Sequence, residues 1–240
     1  MLSIGSVGYE PNVQARPGLS SGREDLGIVG ARPETTGRTA RAHGSRGTAT
    51  APAKQQVTWA QVNEKTKEKL RSYGVPIGGD NEKFVLDGVD LQDKDLSGLD
   101  LRGVIFDTCN LKDTNFANAI LQDAVFQMMN DPILLEGTNF QGADLTRVTF
   151  GPAIYIQDVD FSKANLSHAR FLNVGHLDRI DFAQANLLHA DFSRVEISDV
   201  DFSKSLNIGH AKFEGAQVDS VEWPAKGFSP NEREKKGIIG

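Results

Sequence analysis

Four phenylalanines, Phe150, Phe171, Phe192 and Phe213, stand 21 residues apart, and few folds can accommodate such a column. A second column, Phe140, Phe161, Phe182 and Phe202, runs beside it with steps of 21, 21 and 20. Leu145, Leu166, Leu187 and Ile208 make a third, and Leu135, Ile156, Leu177 and Ile197 a fourth. Self-similarity at a period of about 20 residues marks a solenoid, in which each repeat buries its apolar edge only against its neighbours.

A shorter beat lies inside the long one. Large apolar residues recur every five positions from Leu86 through Leu91, Leu96, Leu101, Phe106, Leu111, Phe116 and Leu121 to Phe126, and again from Phe140. Ala, Val or Ile commonly stands two positions before each, and Asp or Asn one before. Five matches neither the helical period of 3.6 nor the strand period of 2. Four such units closing a square turn put the apolar positions inside and the polar remainder outside. Coils stacked at the ~4.8 Å strand spacing pair each backbone amide with the coil above or below.

The segments VDLQD, KDLSG, CNLKD, TNFAN, GADL, KANL, QANL and HADF resemble the pentapeptide-repeat family, over Leu86 to about Trp223. The resemblance implies an all-β solenoid, a right-handed quadrilateral β-helix. MMNDPILLEG (Met128–Gly137) interrupts the beat, and one extra residue stands near each of 151–160, 172–181 and 203–208. These read as corner bulges, because the 21-residue columns survive them.

The flanks divide the chain further. Residues 1–55 are rich in Gly, Ser, Ala, Thr, Pro and Arg without apolar periodicity, which predicts a disordered leader. Thr58-Trp59-Ala60-Gln61 is a capping box that predicts one helix to about Ser72, closed by Gly74 and Pro76, within 57–74. Trp59, Val62 and Leu70 form its apolar face, with Glu64, Lys65, Lys67, Glu68 and Lys69 largely opposite. Its expected role is to cap the open end of a β-helix spanning 84–223. Residues 224–240 read as a polar tail, with a short helix capped at Ser229.

Net charge is −6, but residues 1–56 carry seven Lys/Arg against four Asp/Glu, so the leader is +3 and the remainder −9. The single Cys109 excludes an internal disulfide and reads as a buried structural thiol. No run approaches the ~18 apolar residues of a bilayer span, so membrane association is expected only through a partner or a modification.

Two further columns carry candidate chemistry. Asp160, Asp181 and Asp201 stack like charges in line, either as the family's habitual Asp/Asn position or as an acidic interaction stripe. His168, His189 and His210 make a histidine ladder one coil after Arg147. A straight ladder spreads its rings too far apart for one tetrahedral zinc, so surface histidines are expected, with pH sensing as the alternative. Thr149, Arg170, Asp191 and Lys212, and Asp158, Arg179 and Asp199, read as structural ion ladders. No catalytic, cofactor-binding or metal motif stands out, and a filled solenoid has no natural pocket.

The expected function is therefore a non-enzymatic, monomeric protein-binding scaffold. The Ser/Gly/Arg-rich leader, with no acid before Glu10, resembles that of type III secreted effectors acting on a protein inside a host cell. The alternatives are a gyrase-binding DNA mimic in the bacterial cytoplasm, as in another branch of the family, or an organellar protein with a transit peptide. Nucleic acid and small-molecule substrates are not expected.

Overall fold

The computed structural model describes residues 56–127, 135–152 and 154–240, which belong to one compact unit, Pro52–Gly240. The leader, and with it the disorder and secretion signal expected there, lies outside the described residues, as do residues 128–134 of the interruption.

The chain winds into a parallel β-solenoid of about six turns. Face one is a five-stranded parallel sheet of β1 (Val85–Asp87), β2 (Ile105–Asp107), β3 (Val125–Gln127), β4 (Thr149–Phe150) and β6 (Arg170–Phe171). Face two holds β5 (Tyr155–Gln157), β7 (His176–Asp178), β8 (Glu196–Ser198) and β9 (Gln217–Asp219), also parallel. Face three is tied by single bridges along Asp95, Asn115, Asn139, Asp160, Asp181, Asp201 and Glu222. Face four is tied likewise along Asp100, Ile120, Asp144, Asn165, Asn186 and Leu206.

The corners explain the five-residue beat. In one coil the four turning residues are Asp158, Lys163, His168 and Asn173, with φ of 55°, 60°, 59° and 53°. A left-handed residue at each corner bends the chain through a right angle. The Asp or Asn just ahead of the core residue prepares that bend. Asp160 Oδ1 accepts from the Ser162 amide at 2.7 Å, and Asn139, Asp181 and Asp201 accept in the same way from the residue two positions on. These Asx turns satisfy amides that the coil ladder does not reach.

Two aromatic stacks fill the interior. Phe106, Phe126, Phe150, Phe171, Phe192 and Phe213 lie face to face at 4.6–5.3 Å between successive rings. Phe116, Phe140, Phe161, Phe182, Phe202 and Trp223 form the other, at 5.1–5.5 Å. Rings of the two stacks meet edge to face, as Phe182 and Phe192 do at 5.9 Å and 80°. Each buried Phe contributes roughly 1.5–3 kcal/mol by leaving water.

The extra residues are absorbed at defined places. Two lie at the same corner, entering β5 and β7, one above the other, so Tyr155 still pairs with His176. The third is taken up by a 3₁₀ turn, Ile208–His210, entered through left-handed Asn207.

Both ends differ from the sequence expectation. The N-terminal helix is split: a 3₁₀ turn at Trp59–Gln61 with the expected capping box, then α1 at Glu64–Ser72. The break arises because Asn63 caps anew, accepting from the Thr66 amide at 2.8 Å, while Val62 is extended. Trp59, Val62 and Leu70 are buried on the first coil, with Trp59 against Phe84 at 4.7 Å. Lys67 is buried rather than opposite, its stem against the coil and its Nζ on Glu64 at 3.0 Å. Thr66 and Tyr73 donate to the carbonyls of Asp100 and Asp95, so the cap satisfies the first coil's free edge.

At the other end the beat does not stop at Trp223, and residues 224–240 are more than a polar tail. Phe228, five positions on, stacks on Trp223 at 4.7 Å and is buried. A short helix, α2 (Pro230–Lys235), forms with the expected box at Ser229 and Glu232. Ile238 is then buried, and Ile239 extends face two by a single parallel bridge to Gln217.

Candidate interaction surfaces

The acidic charge is not evenly spread over the four faces. Face two and its corner carry Asp90, Asp93, Asp113, Glu136, Asp158, Asp178, Glu196, Asp199 and Asp219 against Lys112 and Arg179. Face three and its corner add Asp95, Asp160, Asp181, Asp201 and Glu222 against Lys94, Lys163 and Lys204, a smaller excess. Faces one and four hold acids and bases in near balance.

The stripe Asp160, Asp181 and Asp201 is in register as expected, bridged coil to coil and extended to Glu222. Its physical reason is the Asx turn: one oxygen of each carboxylate points back to an amide and the other faces outward. The Ser203 hydroxyl and amide hold the Asp201 carboxyl below its ordinary range. Like charges in line are tolerated because each carboxylate already has a donor.

The histidine ladder also forms. His168 and His189 lie 5.0 Å apart and tilted by 39°, and His189 and His210 lie 5.8 Å apart at 65°. The rings follow one another along the corner between faces four and one and do not converge on a point. Among the described residues no group of His, Cys, Asp and Glu could hold a metal ion. Arg147, one coil earlier, is held by Asp123 through two bonds of 2.9 and 2.6 Å.

One cluster on face two escaped the sequence reading. His176 Nε2 lies 2.8 Å from Ser198 Oγ, and the Ser198 hydroxyl donates to Asp178 Oδ1 at 2.9 Å. His176 Nδ1 is 3.6 Å from Glu196. The layout suggests a nucleophilic serine, but the serine proton goes to Asp178, leaving the imidazole to donate. The cluster ties two coils together. Its columns hold different residue types, so no sequence column announces it. Arg179 binds Asp158 at 2.7 Å and the adjacent Asp178 directly, while Asp199 of the column acts on it as a nearby charge. Lys212 does reach Asp191, at 3.8 Å.

Cys109 is buried and donates to the Leu86 carbonyl at 3.1 Å. Burial pushes its thiol up to about 11. Thr114 and Thr138 donate to carbonyls of the preceding coil from equivalent inward positions. A groove of about 530 Å³ lies beside the cap, among Val57, Gly103, Ile105, Asp123 and Val125, at the N-terminal end of the edge that carries Arg147 and the histidine ladder.

A family model for pentapeptide repeats matches eight copies, at residues 85–123 and 176–206. Over those two stretches the coils match pentapeptide repeats. The stretch between the two matches contains the interruption and the extra residue before β5, where spacing departs from five. Solved structures with similar coils include full-length QnrB1, a plasmid-mediated fluoroquinolone resistance protein, at 18% identity, 64% of this chain, 83% of that chain and a TM-score of 0.28. HetL, from the cyanobacterium Nostoc sp. strain PCC 7120, is 18% identical over 57% of this chain and 71% of its own, with a TM-score of 0.24. Rfr23, from the cyanobacterium Cyanothece 51142, is 14% identical over 66% of this chain and 97% of its own, with a TM-score of 0.26. No curated protein matches. No helix among the described residues is long and apolar enough to cross a membrane.

Proposed function

We propose that this pentapeptide-repeat rod is a non-enzymatic scaffold that presents faces two and three to a basic protein partner. The observation that carries this reading is the concentration of carboxylates on those adjacent faces, set on a backbone held rigid by two aromatic stacks. Acidic surfaces speed encounter with basic partners and suppress wrong ones. A photo-crosslinking residue at Gln157 or Gln217, on face two, should give a discrete adduct that is lost in the Asp158→Asn/Asp178→Asn/Asp199→Asn variant. Equal adducts from Thr149, on face one, would overturn the choice of face.

Where the scaffold works is carried by the leader. Its Ser/Gly/Arg-rich composition, without an acid before Glu10, supports delivery through a type III secretion system into a host cell. Residues 1–60 fused to a reporter should then be exported in a manner that depends on that system. The second reading, a gyrase-binding DNA mimic, is supported by the same acidic faces. Purified rod that shifts the gyrase supercoiling endpoint would favour it over the effector reading.

A further inference from the structure

We propose that the edge between faces four and one is a pH-gated docking seam for an anionic lipid surface. The seam runs along the coils as Arg147, His168, His189 and His210. At its C-terminal end Lys236, the C-cap of α2, reaches across, its Nζ donating to the Gly209 carbonyl at 2.8 Å beside His210. The neighbouring face-one column supplies Arg170, Asp191 and Lys212. On the face-four side the nearest acids are Asp123, held by Arg147, and Asp144, held by Gln122 and Thr146.

The formal charge of this edge is therefore small with the imidazoles neutral and gains one for each that takes up a proton, although rings 5.0 and 5.8 Å apart cannot all charge cheaply. Imidazoles are the side chains that titrate between about pH 5 and 8. Faces two and three, which carry the carboxylate excess, meet at the diagonally opposite edge. A surface approaching the seam thus meets cations first, and the acidic faces point away behind a solid, filled rod. Fixed geometry strengthens the effect: His168 and His189 stand in left-handed corner turns, so the rings cannot disperse along the backbone.

Lipid, rather than a soluble polyanion, is favoured by the apolar side chains that flank the charges. Leu206 is 51% exposed on face four, and Leu188, next to His189, is half-buried at the seam. Cations interleaved with exposed leucines suit a headgroup–acyl boundary, where both chemistries are present. A surface of this kind needs no spanning helix, and it departs from the expectation that a membrane would be reached only through a partner or a modification.

The test is co-sedimentation of the full chain with phosphatidylcholine vesicles containing about one third phosphatidylserine, at about pH 5.5 and about pH 7.5. The expected result is binding tighter at the acid pH by about five- to 25-fold, since each cation near an anionic surface contributes a factor of about five and one or two added charges suffice. The triple variant His168→Asn/His189→Asn/His210→Asn should lose that gain. Asparagine tolerates left-handed corners, so the rod stays folded, and circular dichroism at both pH values verifies this. Equal binding at both pH values, an undiminished acid response in the triple variant, or no vesicle binding at either pH overturns the proposal. So does histidine-dependent acid binding of a single-stranded oligonucleotide with none to vesicles.

Discussion

Phe171 lies on Phe192 with ring centroids 4.6 Å apart and planes within 16°, although 21 residues of chain separate them. That contact is the fold in miniature. A full turn of the coil brings the chain back to where it started, one strand spacing further along, and the ring meets its counterpart.

Removing one ring from the middle of a stack should be costly, because neither neighbour can shift to fill the space. Phe182→Ala is expected to destabilise the rod by roughly 3–5 kcal/mol, and Phe182→Leu by less. Chemical denaturation followed by circular dichroism measures both.

The corners predict a change of opposite sign. Gln184 holds φ of 61°, a region that costs a side chain with a Cβ roughly 1–2 kcal/mol and costs glycine little. Gln184→Gly should therefore leave stability unchanged or raise it by up to about 1 kcal/mol, whereas the same substitution at a strand position such as Gln217 should lower it. Thermal melts of the two variants separate the outcomes.

Cys109 should resist thiol reagents in the folded protein, since burial holds the thiol near 11 and its proton is donated to Leu86. Labelling is expected only at the rate of unfolding. Cys109→Thr should fold, because Thr114 and Thr138 already make the equivalent bond.

Acid sensitivity follows from the carboxylates at the face-four turns. Asp100 is held low by the Arg102 guanidinium. Asp144 is pushed up by burial but carried below its ordinary range by hydrogen bonds from Thr146 and Gln122. Folded values depressed in this way contribute stability that is present above the unfolded carboxylate pKa near 3.9 and lost as pH falls through the folded value. The rod should hold its stability at about pH 5 and lose it below about pH 4, read by denaturant midpoints across that range.

The coil itself was legible because its signal is positional. Phe at intervals of 21 and Asp or Asn ahead of many core residues state the geometry directly, and Phe150 to Phe213 stack where the columns place them. The ends were less legible. The 3₁₀ break at Val62 depends on Asn63 competing as a second cap, which pattern alone cannot rank against one continuous helix. Phe228 keeps the five-residue beat, but Pro224 and the polar residues around it hid the extra step, and Ile239 joins a sheet through backbone bonds that leave no mark in its side chain. The acidic face was missed for a related reason. Its carboxylates are shared among several columns, whereas the reading ran down each column separately.

Register between coils is the claim on which faces, stacks and seam all rest, and disulfide trapping tests it most directly. In a Cys109→Ala background, Asn165→Cys with Asn186→Cys places thiols on bridged, in-register residues of adjacent coils. Their expected separation of about 5 Å lies within disulfide reach. The account predicts rapid intramolecular crosslinking of the native chain, and none when Asn165→Cys is paired with Arg194→Cys at another corner. Failure of the first pair to crosslink, or equal crosslinking of both, would contradict it.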